Sequence, residues 1–322
     1  MKVLVTGGAG YIGSHMTKLL GQHGHLVTTI DDLSTGFRDA VLSGEFMEGS
    51  LLDSEFLNSV FSKNNFDFVI HFAGSIAVGE SVVNPSKYYR NNLIASINLV
   101  DAMIQNNVNK IVFSSTAAIF GNPQYVPIDE NHPQSPINPY GQTKLMFEKV
   151  LQDYDRAYGL KSVALRYFNA SGADSEGALG ERHMPETHLI PLAIRATKYA
   201  SSGLTIFGND YDTNDGTCVR DYVHVEDLCE AHLLAMDHLL SDGESRQYNL
   251  GNGKGYSVLE VIQAVEKISG QIVNVCYGPK RTGDPASLVA DFSNIRSDWG
   301  WQPKHNLEAI VRHACRWESQ FD

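Results

Sequence analysis

A chain of 322 residues with 43% hydrophobic residues is long enough for one large domain or two smaller ones around a substantial buried core. Its formal net charge is −12 at pH 7, from 37 acidic and 25 basic residues, and this charge repels polyanions at long range. The composition therefore argues against nucleic acid as a partner, and any phosphate ligand has to be held by local hydrogen-bond donors.

Short apolar runs alternate with longer helical patterns through the first half of the chain. The predicted strands are Val3 to Val5, Leu26 to Ile30, Phe68 to Phe72, Ile111 to Phe113 and Ser162 to Leu165. The clearest amphipathic helices between them run from Asn84 to Gln105 and from Tyr140 to Tyr158. This alternation predicts an α/β fold with a Rossmann-type, doubly wound parallel sheet that helices cover on both faces.

The glycines near the start of the chain lie between a predicted strand and a predicted helix. Gly8-x-Gly10-x-x-Gly13 matches the dinucleotide-binding fingerprint, and Gly7 adds an overlapping repeat. Glycines at this spacing permit a tight turn and let a pyrophosphate approach the first amides of the helix that starts at Tyr11. The next strand ends in Asp31, whose carboxylate can accept from a ribose 2′-hydroxyl and would repel a 2′-phosphate, so the sequence favours NAD over NADP.

A second motif follows the strand Ile111 to Phe113. Tyr140 and Lys144 lie four residues apart on a predicted helix and therefore project from one face. The pKa of a phenol is about 10 in water, and a nearby ammonium together with a positively charged nicotinamide would lower that pKa. Thr116, in Ser114-Ser115-Thr116, can bind the reacting oxygen. Together with the glycine fingerprint, these groups indicate hydride transfer at a carbinol rather than a chance spacing on a helix.

The four cysteines, at positions 218, 229, 276 and 315, form no CxxC pair and have no histidine or cysteine at short metal-ligand spacing. We therefore expect neither a metal site nor a disulfide framework. The chain passes from Met1 directly into a strand and glycines, and no run reaches the length of a signal peptide or a membrane span. A cytoplasmic protein with reduced thiols and no membrane partner is the resulting expectation.

With these motifs in place, the chain resembles the extended short-chain dehydrogenase/reductase family, and within it the UDP-glucose 4-epimerases, over nearly its whole length. The further segments that carry the resemblance are Val69-Ile70-His71-Phe72-Ala73-Gly74, Ala77-Val78-Gly79-Glu80-Ser81, Tyr88-Tyr89-Arg90-Asn91-Asn92, Leu165-Arg166-Tyr167-Phe168-Asn169, Phe207-Gly208-Asn209-Asp210-Tyr211, Val219-Arg220-Asp221-Tyr222-Val223-His224-Val225, Tyr248-Asn249-Leu250-Gly251 and Arg281-x-Gly283-Asp284. The later segments are the more specific ones, because in this family they belong to nucleotide-sugar binding.

The resemblance implies an NAD-dependent interconversion of UDP-glucose and UDP-galactose. In such enzymes the phenolate that Tyr140 matches takes the proton of the sugar 4-hydroxyl while hydride leaves carbon 4 for the nicotinamide. The 4-ketose then rotates and receives the hydride on its opposite face, so NAD is regenerated in every turnover. Lys144 matches the residue that tunes the tyrosine and Thr116 its hydroxyl partner. Whether UDP-N-acetylglucosamine and UDP-N-acetylgalactosamine are also substrates stays open.

The resemblance also implies two sets of binding residues. The positions carried over for NAD are Gly7, Gly10, Tyr11, Ile12, Asp31, Ser50, Leu51, Phe72, Ala73, Asn91, Ser114, Tyr140, Lys144 and Tyr167. The positions carried over for the UDP-sugar are Thr116, Tyr140, Asn169, His188, Leu189, Phe207, Arg220, Arg281 and Asp284. We expect residues 1–168 to form the NAD-binding Rossmann domain, with contributions from later segments. Residues 169–322 would form a smaller, mixed α/β UDP-sugar-binding region, and a homodimer would pair the two crossover helices.

The chain departs from the family pattern at three positions. Ile76 stands where many members have a lysine that contacts phosphate, and Ser50 where many have an aspartate near the adenine. His188 stands where asparagine is frequent. The position that controls room for the 2-substituent of the hexose falls at Leu288.

Three alternative functions remain to be weighed. A nucleotide-sugar 4,6-dehydratase or a UDP-glucuronate decarboxylase needs acidic residues beside the hydroxyl residue, whereas Thr116 is followed by Ala117 and Ala118. A non-catalytic NAD-sensing regulator on the same fold typically loses the tyrosine or the lysine, and this chain retains both Tyr140 and Lys144.

Overall fold

The computed structural model describes residues 1–198, 203–281 and 284–321. They form two compact units. The first consists of residues 1–121, 133–166 and 229–248, and the second of residues 122–132, 167–228 and 249–322. Residues 229–248 thus return to the first unit, and the short segment 122–132 belongs to the second. The cofactor and substrate roles expected for the two parts of the chain stay predictions.

A seven-stranded sheet is the framework of the first unit. Its strands are β1 Lys2–Thr6, β2 Leu26–Asp31, β3 Glu45–Glu48, β4 Phe68–His71, β5 Lys110–Thr116, β6 Lys161–Tyr167 and, later in the chain, β10 Arg246–Leu250. The order across the sheet is β10-β6-β5-β4-β1-β2-β3. The chain therefore adds β2 and β3 on one side of β1, and then β4, β5 and β6 on the other side. The strand order reverses between β1 and β4, which are neighbours and pair Thr6 with His71. This confirms the predicted doubly wound Rossmann architecture, whose ligand crevice lies at that switch point.

The helices of the first half of the chain agree with the predicted ones except in one segment. They are α1 Tyr11–Gln22, α2 Ser54–Lys63, α3 Val78–Val83, α4 Pro85–Tyr88, α5 Ala95–Gln105 and α6 Pro139–Tyr158. The sequence predicts one helix from Asn84 to Gln105, but residues Tyr89–Ile94 are π-helical and separate α4 from α5. The predicted crossover helix is therefore present, but its π-helical part was not predicted, because the hydrophobic period does not register one extra residue per turn.

The ends of α6 follow from local chemistry. The Asn138 side chain accepts a hydrogen bond of 2.8 Å from the Gly141 amide, and Pro139 occupies the first helical position. Gly159, with φ of +71°, ends the helix in the left-handed conformation. The helix is thereby fixed in length, and with it the position of its first turn, which carries Tyr140.

Each unit has its own hydrophobic core. In the first, Leu4, Val69 and Ile111 of the sheet are fully buried, and Leu99 of α5 and Phe147 of α6 pack into the same cluster. Because both faces of a parallel sheet are covered, its central strands are continuous apolar runs, which is why they could be predicted.

The second unit is built from short strands and four further helices. Its strands are β7 Asn169–Ser171, β8 Leu204–Phe207, β9 Val219–His224, β11 Gly255–Ser257, β12 Val275–Gly278 and β13 Ser287–Leu288. Its helices are α7 Leu189–Lys198, α9 Val258–Ser269, α10 Ser293–Trp299 and α11 Leu307–Glu318, while α8 Val225–Leu240 leads back to the first unit. β9 pairs with β11, β13 and β7, and β8 with β12. Tyr222, Val261 and Ile310 belong to its core.

Among the described residues, no helix is both long enough and apolar enough to cross a membrane.

Candidate active site

The glycine turn after β1 is too tight for any side chain. Gly7 has a φ of +73°, and a Cβ atom on it would lie 2.5 Å from the Ala73 amide nitrogen. A Cβ atom on Gly13 would lie 2.1 Å from the Gly7 carbonyl oxygen. α1 then begins at Tyr11 with Gly10 as N-cap, and no side chain caps its first amides. First amides without a side-chain cap at a helix N-terminus fit the pyrophosphate of a dinucleotide.

Asp31 is held beside this turn at the end of β2. Its Oδ2 accepts a hydrogen bond of 3.0 Å from the Ala9 amide, and its Oδ1 accepts one of 2.9 Å from the Leu33 amide. Burial raises the pKa of Asp31, and the two amide hydrogen bonds oppose that rise. The carboxylate is therefore oriented by the backbone while each oxygen keeps acceptor capacity for a ribose hydroxyl.

Other positions predicted for NAD follow the neighbouring strands. The amides of Phe72 and Ala73 donate to the Thr6 carbonyl at 2.9 and 3.1 Å, which holds the end of β4 against the end of β1. The Gly49 amide donates to the Asp31 carbonyl, so Ser50 and the buried Leu51, which follow β3, begin beside the end of β2. Ile76, the departure from the family pattern, is exposed.

The π-helical turn places two asparagines under the loop that follows β4. Asn92 is buried, and its side chain accepts from the Ser75 amide at 2.7 Å and donates to the Ser75 carbonyl at 2.9 Å. The side chain of Asn91, predicted for NAD, donates to the Ser75 hydroxyl at 3.2 Å. Asn92 thus binds both backbone groups of Ser75. The π-helical turn that carries Asn92 is of a kind that commonly occurs at functional sites.

Thr116 and Tyr140 are brought together from different elements. Thr116 is the last residue of β5, and its side chain is hydrogen-bonded to the Tyr140 phenol. Burial raises the pKa of Tyr140, and the Thr116 hydrogen bond lowers it. The sequence predicts that an ammonium lowers this pKa, whereas in the chain itself the lowering contact is a hydroxyl. The Tyr88 ring meets Tyr140 edge-on, with centroids 6.5 Å apart.

Lys144 is buried one turn further along α6. Its Nζ donates to the Ser114 carbonyl at 2.8 Å and lies 4.8 Å from the centroid of the Phe113 ring. Burial lowers the pKa of Lys144 to about 8, and the Glu148 carboxylate opposes this effect. The predicted triad of Thr116, Tyr140 and Lys144 therefore converges at the carboxyl end of β5.

Sequence reasoning missed Glu148, which lies one turn after Lys144 on the same face of α6. The Arg166 guanidinium donates to its two oxygens at 3.1 Å from Nε and 2.8 Å from Nη2, and the Ser115 hydroxyl also donates to it. All three side chains are buried. The sequence did contain one signal for Glu148, because Tyr140, Lys144 and Glu148 follow one another at intervals of four residues and share a helix face. Nothing in the sequence indicates that Arg166 is the partner of Glu148.

Apart from Thr116 and Tyr140, the residues predicted for the UDP-sugar lie in the second unit, where several form contacting pairs. Arg220, in β9, donates from Nη1 to the Val219 carbonyl at 2.7 Å and forms an ion pair with Asp284 through Nη2. The Arg281 guanidinium stacks over the Phe207 ring, 4.1 Å from its centroid. These two pairs bring together two cations, one carboxylate and one aromatic ring, which suit a pyrophosphate, a ribose and a base.

The remaining predicted positions are distributed around these pairs. Asn169, in β7, pairs in register with Tyr222 of β9, and Leu288, in β13, pairs with Arg220. His188 precedes Leu189, the first residue of α7. Tyr167 is the buried last residue of β6. Gly283 of the Arg281-x-Gly283-Asp284 motif lies outside the described residues.

Comparisons with known proteins agree on one protein family. The model of the NAD dependent epimerase/dehydratase family matches residues 3–251. A UDP-glucose 4-epimerase from Halalkalibacterium halodurans is 47% identical, over 99% of this chain and 96% of the relative. The crystal structure of a UDP-glucose 4-epimerase from Brucella ovis in complex with NAD has a TM-score of 0.95 at 48% identity, covering 98% of this chain and 97% of that one. A UDP-glucose 4-epimerase from Bifidobacterium longum in complex with NAD+ and UDP has a TM-score of 0.94 at 38% identity, with 99% and 98% covered.

Proposed function

The chain belongs to the NAD dependent epimerase/dehydratase family, and we propose that it interconverts UDP-glucose and UDP-galactose by transient oxidation at carbon 4 of the hexose. The observation that carries this proposal is the hydrogen-bonded pair of Thr116 and Tyr140 beside the buried Lys144. A hydroxyl donor, a phenol and an ammonium in this arrangement can move one proton reversibly at a secondary alcohol.

Tyr140 is the proposed base that takes the proton from the sugar 4-hydroxyl and returns it after the sugar has turned. The Thr116 hydroxyl, already within hydrogen-bond distance of the phenol, orients the reacting oxygen and stabilises the phenolate. When bound, NAD supplies the site that accepts the hydride from carbon 4 and gives it back. Lys144 keeps a positive charge below the phenol, held there by the Ser114 carbonyl and Glu148.

The proposed cofactor site is the carboxyl edge of β1, β2 and β4 in the first unit. The uncapped amides of α1 hold the pyrophosphate, and Asp31 accepts from the adenosine ribose. Ser50, Leu51, Phe72, Ala73, Asn91 and Ser114 complete the set from the first unit, with Tyr167 as the remaining predicted contact. These groups fit an NAD rather than an NADP because a carboxylate stands where a 2′-phosphate would lie.

The proposed substrate site uses the second unit to hold UDP strongly and the hexose loosely. Arg220 and Arg281 neutralise the pyrophosphate, Asp284 accepts from the uridine ribose, and Phe207 supports the Arg281 guanidinium. Asn169, His188 and Leu189 complete the set. Binding energy spent on the nucleotide then positions a sugar that is free to rotate.

The position after Thr116 argues against elimination or decarboxylation as the main reaction. It carries Ala117, which is buried in a short 3-10 helix from Ala117 to Phe120, so no acid stands next to the hydroxyl. A proton has to be delivered to a leaving hydroxyl in a dehydratase, and no neighbouring side chain in this turn can deliver it.

The decisive experiment is incubation of the purified protein with UDP-galactose, without added cofactor, followed by separation of the products. We expect UDP-glucose, formed in a ratio independent of the starting sugar. A 4-keto-6-deoxy sugar, or release of CO₂ from UDP-glucuronate, would support the rival enzymes instead. Failure to interconvert the two hexoses after reconstitution with NAD would contradict the proposal and leave the sensor alternative. The same assay with UDP-N-acetylgalactosamine decides whether Leu288 leaves room for the N-acetyl group.

Two further expectations stay predictions. They are a homodimer that pairs the segment from α4 to α5 with α6 of its partner, and a location in the cytoplasm.

A further inference from the structure

A compact group of imidazoles and carboxylates lies in the second unit, on the segment that leads into α7. Its members are Glu181, His183, Glu186 and His188, and one potential ligand atom from each lies within 4.8 Å of the others. His183 Nδ1 is 3.4 Å from Glu181 Oε1 and 3.6 Å from Glu186 Oε1. His188 Nδ1 is 4.0 Å from Glu186 Oε1 and is hydrogen-bonded to Glu181 Oε1. Four potential ligand atoms are therefore clustered within 4.8 Å of one another.

These separations match the spacing of ligands around a small divalent cation. Bonds of about 2.0–2.1 Å in tetrahedral geometry place neighbouring ligand atoms about 3.3–3.4 Å apart. The distances from His183 to the two carboxylates lie close to that value, and the distance from His188 to Glu186 is slightly larger. The contact between His188 and Glu181 is the one that would have to lengthen, because a metal ion would replace their shared proton.

A buried oxygen in the group has no hydrogen-bond partner. The Glu186 side chain is 2% exposed, and its Oε2 is buried without any partner. Its Oε1, in contrast, accepts from the Thr187 and His188 amides at 2.7 and 2.9 Å, which fixes the carboxylate plane. Desolvating a carboxylate oxygen without a donor is costly, and a cation held by both oxygens of Glu186 would remove that cost.

The backbone around the group is also supported. The Trp317 indole donates to the Glu181 carbonyl at 3.1 Å, and the Glu181 side chain is 5% exposed. Such outer contacts orient ligands before an ion arrives. Arg195 of α7 is attracted by Glu181 and Glu186 but is itself held at 3.0 and 2.9 Å by Glu318.

Protons balance the charge when no cation is bound. The Glu181 and Glu186 carboxylates lie beside both imidazoles, an arrangement that favours the protonated rings when no cation is bound. Two carboxylates with two imidazolium ions carry no net charge. Two carboxylates with two neutral imidazoles and one divalent ion also carry none, so the site can exchange protons for metal without net charge burial.

A second group of metal-ligand residues within the described parts of the chain serves as the comparison. It consists of His224, Glu226, His305 and His313. The His224 Nδ1 accepts from the Glu226 amide at 3.0 Å, so a neutral ring has its proton on Nε2, 2.9 Å from His313 Nδ1. These two imidazoles therefore pair with each other, and neither presents both a lone pair and an open direction to an ion.

We propose that Glu181, His183, Glu186 and His188 form a binding site for one divalent transition-metal ion, of which Zn²⁺ is the best match. Two imidazole nitrogens and two carboxylate oxygens suit zinc, cobalt or nickel and not magnesium or calcium, which prefer oxygen ligands alone. Four protein ligands leave no open coordination position, so the ion would be structural and would hold the segment before α7. The site shares His188 with the proposed substrate-binding set, while the proposed epimerase chemistry itself needs no metal.

The test is a zinc titration of the full-length, NAD-loaded protein after treatment with a chelator that is then removed. Competition with a chromophoric chelator should give one tightly bound Zn²⁺ per chain. His183→Gln and Glu186→Gln should each weaken zinc binding by about 100-fold or more, because each removes one ligand. The matched control is His313→Gln in the comparison group, which should keep the affinity of the unaltered protein.

Two further measurements test the metal site. Zinc binding at pH 7 should release protons, and the affinity for zinc should rise with pH, because imidazole ligands have to be neutral to bind the ion. Independently of any variant, Co²⁺ should give the intense visible bands of a four-coordinate ion. The proposal is overturned if Zn²⁺ does not bind, if His313→Gln rather than His183→Gln abolishes binding, or if Co²⁺ shows only the weak bands of a six-coordinate ion.

Discussion

The Nζ of Lys144 and the carbonyl oxygen of Ser114 lie 2.8 Å apart, so α6 is tied directly to the strand that ends in Thr116. The contact gives the buried ammonium a hydrogen-bond acceptor beside the Phe113 ring. Because Tyr140 is one turn earlier on the same helix, this hydrogen bond also sets the distance between the phenol and the Thr116 hydroxyl.

Replacing Tyr140 with Phe should reduce kcat for UDP-galactose by about 10²–10⁴-fold, because the group that moves the proton is lost. Retention of NAD and binding of UDP should persist, since neither depends on the phenol oxygen. The matched control is Tyr154→Phe on the same helix, whose hydroxyl donates to Asp101 at 2.6 Å, away from the triad. Comparable activity of the two variants would show that Tyr140 is not the base.

Replacing Glu148 with Gln should destabilise the protein by about 3–5 kcal/mol, since it leaves the buried Arg166 charge without its carboxylate. It should also lower the pKa of Lys144 further, because the Glu148 charge opposes the effect of burial. Urea unfolding measures the first effect and the pH profile of kcat the second. In the exposed ion pair of Lys267 with Glu308, Glu308→Gln should leave the urea midpoint unchanged. An equal shift of the urea midpoint in both variants would show that burial of an ion pair does not decide how much its loss destabilises this protein.

Stability should fall in acid through His71. Its Nδ1 and Nε2 each lie 2.7 Å from a hydroxyl, those of Thr6 and Ser96, and burial together with the Lys144 charge lowers its pKa to about 3. Between pH 6.5 and 3 the unfolded chain binds a proton that the folded chain does not, so stability is complete above pH 6.5 and is lost as the pH falls toward 3. The full contribution is at most about 5 kcal/mol.

The measurement for His71 is urea unfolding at a series of pH values for the unaltered protein and for His71→Asn. The variant should be less stable at pH 7 and should show a flatter pH dependence between pH 4 and pH 6.5, since its side chain does not titrate. Identical slopes in the two proteins would assign the acid sensitivity to other groups.

Replacing Arg220 with Ala should weaken UDP binding by about 100-fold and leave NAD retention unchanged. The loss has two parts, because the guanidinium no longer binds phosphate and the carboxylate of Asp284 is left to repel it. Calorimetry with UDP measures the first quantity and the absorbance of released nicotinamide the second. Lys267→Ala removes an exposed cation of the same unit and should change neither. Equal loss of UDP and NAD in Arg220→Ala would point to a folding defect.

The sequence by itself determined the parts of this protein that depend on neighbouring residues. The glycine turn, the apolar strands of the sheet and the four-residue spacing of Tyr140 and Lys144 are local patterns, and local backbone geometry converts each of them into structure. The end of β2 likewise places Asp31 beside the turn, as its distance along the chain predicts.

Tertiary structure alone decided which distant side chains meet. The pairing of Glu148 with Arg166, the ion pair of Arg220 with Asp284 and the hydrogen bonds of Asn92 to Ser75 join residues far apart in the chain. The π-helical turn and the convergence of Glu181, His183, Glu186 and His188 are local in the chain, but no regular helix or strand spacing predicts them. Hydrophobic periodicity reports which face of an element is buried, whereas partners, pKa shifts and ligand geometry depend on how separate elements pack.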